Sequence, residues 1–177
     1  MQESPEDYLK RLRGYLGDSD PIAVQTATPK KIAKLIRGAP KKKLTRRPSP
    51  GKWSVAEIIA HLADDELVGA YRIRRILERP GMPIEAFDQD KWAETGQYAK
   101  RDAKKSLELF RALREANLGL FKQIGGAQWE IYGVHAERGQ ESIRTIARHY
   151  ACHDINHIKQ IEGILGKSKG RSSRRRT

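Results

Sequence analysis

The chain has 177 residues, an ordinary size for one domain and enough to bury a core. Hydrophobic residues make up 38% and charged residues 32%, a balance that suits amphipathic helices with one face in water and argues against a membrane-embedded protein. No apolar run approaches the ~20 residues needed to span a bilayer.

The formal net charge of +13 is concentrated. Lys41, Lys42, Lys43, Arg46 and Arg47 form one basic cluster, and Lys167, Lys169, Arg171, Arg174, Arg175 and Arg176 form another. A single cysteine, Cys152, excludes an internal disulfide and fits a reducing compartment. The acidic start MQESPEDYLK lacks the apolar core of a signal peptide, so a cytoplasmic location is expected.

Taken in order, residues 4–16 read as a short helix, with Ser4 as cap, Pro5 at the first helical position and Tyr8, Leu9, Leu12 and Leu16 on its apolar side. After a break at residues 17–21, a second short helix is expected over residues 29–37, capped by Thr28 and carrying Ile32, Leu35 and Ile36. Residues 38–52 are rich in Pro, Gly, Lys and Arg and read as a basic loop. The first long helix opens at Ser54, which with Glu57 has the spacing of a capping box. Its inner stripe of Val55, Ile58, Leu62, Gly69, Ile73 and Ile76 runs to about Glu78, where Pro80 and Gly81 stop it.

At about 100° per residue, His61 lies roughly 60° and Asp65 roughly 20° from Ile58, so both polar groups fall in or beside this stripe. Asp65 either pairs with Arg72 on the same side or turns towards a polar group on a neighbouring helix. Residues 82–99 read as a connecting segment that packs Phe87, Trp92 and Tyr98 over a bundle end, with a helical turn around residues 89–94. The next helix is expected over residues 102–124, with Leu107, Phe110, Leu113, Leu118 and Phe121 apolar and Gly125-Gly126 as its stop. Residues 129–140 read as a loop in which His135 is an ordinary surface residue.

The most informative stretch is residues 142–165. On a helix, Ile143, Ile146, Tyr150, His153, His157, Ile161 and Ile164 fall on one stripe roughly 80° wide. His153 and His157 are four residues apart, so their rings lie one above the other with Cβ atoms about 6 Å apart, close enough to ligate one ion. Two polar rings on a buried stripe must both find partners or each lose a kcal/mol or more on desolvation, at order of magnitude. A shared cation meets that demand, and so would two hydrogen-bonded core histidines. His149 lies towards the polar flank, and Cys152 is roughly 120° from the stripe centre, which argues against its being a ligand.

Three long helices and a shorter one make an all-α four-helix bundle the simplest architecture, with a short extra N-terminal helix. The domain is expected to cover residues 1–166, and residues 167–177 to form a disordered basic tail. Joining His61 from one helix to His153 and His157 from another gives three nitrogen donors with a fourth position open, the arrangement of catalytic rather than structural zinc sites. Zinc or nickel suits this set first; iron, manganese and cobalt are compatible with it.

The same residues carry a resemblance. PGKWSVAE at residues 50–57 with His61-Leu62-Ala63-Asp64 after it, and Gly139, Ser142-Ile143 and HYxxHDxxHIxQI at residues 149–161, resemble the two motifs of the DinB/YfiT-like superfamily of metalloenzymes. The likeness extends over roughly residues 20–165, including DQDKW at residues 88–92. It implies a four-helix bundle that holds a divalent ion on His61, His153 and His157. Similar proteins include bacillithiol S-transferases and a mycothiol-dependent isomerase, so the resemblance implies a small-molecule thiol and an electrophilic substrate as partners, or a related hydrolysis by the same ion. It also implies a homodimer. Asp65 or Asp154 could orient a ligand histidine as hydrogen-bond acceptor.

The competing class is a non-catalytic helical bundle whose basic segments make sequence-independent nucleic-acid contacts. A pI near 10 supplies the electrostatic footprint. The two clusters contain no aromatic residue for base stacking, and the tail has no apolar residue to insert into a membrane.

Overall fold

The computed structural model describes residue 11 and residues 14–166; the expected N-terminal helix and the basic tail lie largely or wholly outside these. Four long helices build the bundle: α1 (Pro21–Ile36), α3 (Val55–Glu78), α5 (Ala103–Gln123) and α6 (Ile143–Leu165). Two short helices, α2 (Lys41–Thr45) and α4 (Gln89–Thr95), lie in the connections. Three short strands form one sheet in the order β1-β2-β3. β1 (Pro83–Ile84) pairs in parallel with β2 (Tyr132–His135), which pairs antiparallel with β3 (Gly139–Ser142).

Caps set the long helices. The Ser54 hydroxyl accepts from Glu57 N while the Glu57 carboxylate accepts from Ser54 N, so the expected capping box is present. Asp102 caps α5, Ser142 caps α6, and Gly166 ends α6 in the left-handed conformation at φ 66° that its lack of a Cβ permits. Helix α1 starts eight residues before the expected one. Asp20 and Pro21 are themselves an N-cap and a first-turn proline, so Pro29 sits inside the helix. A proline there has no N–H for the carbonyl four residues back, Gln25 O. That carbonyl instead accepts from Arg114 of α5 at 2.8 Å.

Two further expectations need correction. The basic loop contains α2, from which Lys43 Nζ donates to Leu165 O at the end of α6, and beyond it Arg47 pairs with the buried Glu57. Residues 129–140 are not a plain loop: they hold the end of a turn of 3-10 helix (Gly126–Glu130) and most of the β2–β3 hairpin. Burial alternates over the four residues of β2 and not over β3, too short a run for a clear period-two pattern.

The core is layered. At one end Ile32, Ile36, Leu44, Val55, Ile58, Ile59, Leu62, Phe110, Ile158 and Ile161 pack together. At the other Ile73, Ile76, Ile84, Phe121, Ile143, Ile146 and Tyr150 do so. Between them every long helix contributes buried polar side chains: Gln25 from α1, His61 and Glu66 from α3, Arg114 and Asn117 from α5, and His153, Asp154 and His157 from α6. Gly69 lets α3 and α6 approach in this region, since a Cβ there would stand 2.8 Å from the Tyr150 ring.

Candidate metal centre

His61 and His153 come from antiparallel helices and His157 lies one turn beyond His153, so the three rings meet in the polar layer. They are 2%, 8% and 5% exposed, so the rings lie almost wholly away from bulk solvent. His61 Nε2 stands 3.1 Å from His153 Nε2, and His157 Nε2 stands 3.0 Å from the same atom. The three ligating nitrogens all fall within 4.8 Å of one another. Tetrahedral zinc with nitrogens at 2.0–2.1 Å separates its ligand atoms by about 3.3–3.4 Å, so the triangle is already close to the size an ion requires.

The outer ring atoms show which way the lone pairs point. His157 Nδ1 lies 2.9 Å from Gln160 Oε1, an acceptor, so Nδ1 carries the proton and Nε2 presents a bare lone pair. His153 Nδ1 is 3.4 Å from Asp65 Oδ2, within reach of an ion pair but not aligned as a hydrogen bond, and has no hydrogen-bond partner among the described residues. In the tautomer that carries its proton on Nδ1, facing that carboxylate, His153 also turns a lone pair inward. Two lone pairs then meet 3.0 Å apart, and a cation between them would satisfy both. The donor set therefore fits a divalent ion.

Electrostatics keep the nitrogens available. Burial drives the pKa of His61 and of His153 well below the usual imidazole value, with the neighbouring histidines adding to the effect. Burial lowers His157 to about 4 against the raising effect of Gln160. All three are neutral at pH 7, the form that ligates. Asp65 moves the other way: burial and the nearby Glu66 raise it to about 7. Tyr150, held protonated by burial, donates to the Asp65 backbone carbonyl at 3.0 Å.

Two clefts reach the histidines from different sides. One of about 740 Å³ is lined by His61, His153, Asp65, Tyr150, Arg72 and Phe87 among others. The other, about 630 Å³, is lined by His157, Trp53, Ile58, Gln160 and Lys159 among others. Gln89 and Asp90 at the start of α4 border both. A groove of about 770 Å³ between α1 and α5 is larger but has no histidine, cysteine or aspartate in its lining.

Other expectations fare differently. Arg72 does not pair with Asp65; its guanidinium donates to Glu85 O and lies over the Phe87 ring. Asp154 faces Arg114 and not a histidine: both its oxygens accept from that guanidinium, at 2.6 and 3.0 Å. His149 stacks on His153 with ring centroids 6.2 Å apart, outside the converging group. His135 is buried rather than on the surface: β2 carries it inward, its Nδ1 accepts from Glu137 N, and it lines the larger of the two histidine clefts. Cys152 packs with Leu16 and Ala151, apart from the triad. The sequence reading missed Arg114 and Asn117. Their signal was present: they follow Phe110 by four and seven residues, on the same stripe.

A helical bundle whose buried layer brings three neutral imidazoles together defines a candidate metal-binding bundle protein. The chain belongs to the DinB superfamily, whose family model matches residues 26–161. It is 22% identical over 140 residues to "Putative metal-dependent hydrolase OB0413" of Oceanobacillus iheyensis, covering 79% of this chain and 80% of that one. With "Putative metal-dependent hydrolase BH0277" of Halalkalibacterium halodurans it shares 23% over 144 residues, 81% of this chain and 84% of the other. The fold is that of YfiT from Bacillus subtilis, described as "a probable metal-dependent hydrolase with an unusual four-helix bundle topology", with a TM-score of 0.74 at 21% identity over 94% of this chain and 92% of YfiT.

Proposed function

We propose that His61, His153 and His157 hold one divalent ion and that the protein is a metal-dependent hydrolase or thiol transferase. The observation that supports this best is the convergence of three buried imidazoles, with the His61 and His157 Nε2 atoms 3.1 and 3.0 Å from His153 Nε2, on the walls of two clefts. A bound ion with an open position lowers the pKa of a coordinated water or thiol and so supplies a nucleophile near neutral pH. Gln160 fixes the His157 tautomer, and Asp65 faces the outer nitrogen of His153. Trp53 packs against His61 at 4.8 Å between ring centroids and keeps water from that ring. Asp65, with a pKa of about 7 and a place in the cleft wall, is the group that can take up or release a proton beside the reacting centre.

Water as nucleophile gives hydrolysis, in line with what the relatives are named; a small-molecule thiol gives S-transfer, which the motifs imply. Elemental analysis of protein purified without chelator or nickel resin is expected to find about one ion per chain, lost in His61→Ala, His153→Ala and His157→Ala. Conjugation of a thiol to an electrophile that disappears in His157→Ala selects transfer, and thiol-independent ester or amide cleavage with the same dependence selects hydrolysis. Activity that survives in His157→Ala removes the ion from the mechanism. In the first basic cluster, Lys43 and Arg47 are engaged within the bundle.

A further inference from the structure

Arg114 is the largest fully buried side chain described, at 1% exposed, and its guanidinium is a junction of all four long helices. It extends from α5, and Nη1 donates to Gln25 O of α1 at 2.8 Å and to Asp154 Oδ2 of α6 at 2.6 Å. Nη2 donates to Glu66 Oε1 of α3 at 2.7 Å and to Asp154 Oδ1 at 3.0 Å. The Gln25 carbonyl is free for this because Pro29 cannot use it. Asn117, three residues along α5, donates to both the backbone and the side chain of Glu66, at 3.0 and 2.9 Å. On α1, Gln25 Nε2 donates to Ala147 O of α6 at 2.8 Å.

What makes this junction more than a buried ion pair is where its partners sit. Glu66 directly follows Asp65, and Asp154 directly follows His153. On a helix, adjacent residues point about 100° apart. Each of the two histidine-bearing helices therefore turns one residue towards the nitrogen cluster and the next towards Arg114. A rotation of α6 that spoiled the 3.1 Å approach of His61 to His153 would also break the planar, two-pronged bond from the guanidinium to Asp154, and a rotation of α3 would break its bond to Glu66. The fork fixes angle as well as distance, which a point charge does not.

We propose that Arg114 is a positioning residue for the three-histidine centre: by clamping Glu66 and Asp154 it sets the rotation of α3 and α6 and so the spacing of the ligating nitrogens. This rests on the metal reading above. Arg114 touches neither the ion's ligands nor the two clefts that reach them. The conservative replacement that separates geometry from charge is Arg114→Lys. A lysine keeps the positive charge beside Glu66 and Asp154, so the field at the histidines is retained, but it cannot bond both carboxylates in a plane while also reaching Gln25 O.

The test uses Co²⁺ as the probe, titrated into the full-length chain against a competing chelator, with the visible ligand-field spectrum and the affinity both read. Arg114→Lys is expected to bind Co²⁺ about 10- to 100-fold more weakly, the range measured when supporting partners of metal ligands are changed, and to show a shifted spectrum. Ile32→Val, in the apolar end layer, serves as the control and should leave both unchanged. Unaltered affinity and spectrum in a folded Arg114→Lys protein overturn the positioning role. Should that variant fail to fold, Asn117→Ala, which frees Glu66 from its second clamp, is read in the same way. An unshifted spectrum at unchanged affinity there overturns the proposal, and a shift in the same direction supports it. Failure of the unaltered protein to bind Co²⁺ is a different result, for it overturns the metal reading itself.

Discussion

The polar layer of the bundle holds two clusters side by side that solve the same problem in opposite ways. Around Arg114, one guanidinium faces two carboxylates, an amide and a carbonyl, so donors meet acceptors and most of their bonds close inside the protein. Around His153, three like rings face one another, and its outer nitrogen has no hydrogen-bond partner among the described residues. Both are buried, and burial penalises unmet polar groups equally in each. The first cluster pairs unlike groups, with only the Arg114 Nε left over among the described residues; the second crowds like groups that one shared cation would satisfy together. Polarity in a core therefore does not by itself mark a site. What marks it is a set of like donor atoms that converge on one point.

The difference can be broken at either end. The largest effect is expected from Arg114→Met, which leaves Glu66 and Asp154 buried without their counter-charge; removing one partner of a buried pair costs about 3–5 kcal/mol. Chemical denaturation with an unchanged m-value measures it, and a loss below about 1 kcal/mol would show that the junction is not the closed network described. At the histidines the effect comes from the ligand instead. Zn²⁺ at about 100 times its Kd should stabilise the protein by about 2.7 kcal/mol, and chelator should reverse this. No stabilisation should remain in His153→Ala, the ring that both others approach.

Between the clusters, Gly69→Ala tests the approach of α3 to α6. Its Cβ would stand 2.8 Å from the Tyr150 ring, so overpacking should cost about 1–3 kcal/mol and weaken metal binding as well. A neutral result would mean that the ring swings aside freely.

The smallest effect, because opposing shifts partly cancel, is the pH dependence of the metal-free protein. His149 and His157 are lowered from 6.5 to about 4, so below pH 6.5 the unfolded chain binds protons that the folded chain refuses, and stability falls as pH drops towards 4. Asp65, raised from 3.8 to about 7, takes its proton in the folded state first, so acidification over the same window adds stability. His61 and His153, also lowered, act with the other imidazoles. The net expectation is a loss on acidification. A metal-free protein that gained stability from pH 6.5 to 4.5 would contradict the buried, neutral state of the rings.

Much of this was legible in the chain. Ser54 with Glu57, Asp102, Ser142 and Gly166 are local signals whose chemistry acts within one turn, and the helices begin and end where these predict. His61, His153 and His157 could be brought together because two stripes, each with a polar residue in it, have to face inward. Arg114 escaped notice because an arginine on an apolar stripe is ordinarily exposed by snorkelling, and only its three partners on three other helices reveal that it is not. Pro29 misled for a related reason. Proline at a helix start is a local rule, whereas proline inside α1 depends on a guanidinium 85 residues further along the chain, the difference between 114 and 29. His135 was misplaced because a two-strand register, not its own neighbours, turns it inward.

The 92-residue separation of His61 from His153 also orders events in time. As the chain is synthesised, α3 emerges long before α6, and its lone histidine has nothing to bind with. The His153–His157 pair, four residues apart, can capture an ion as soon as α6 winds, but only weakly. On the proposed metal reading, full occupancy would wait until α3 and α6 dock against each other, and tight uptake of the ion would report that the two helices have come together.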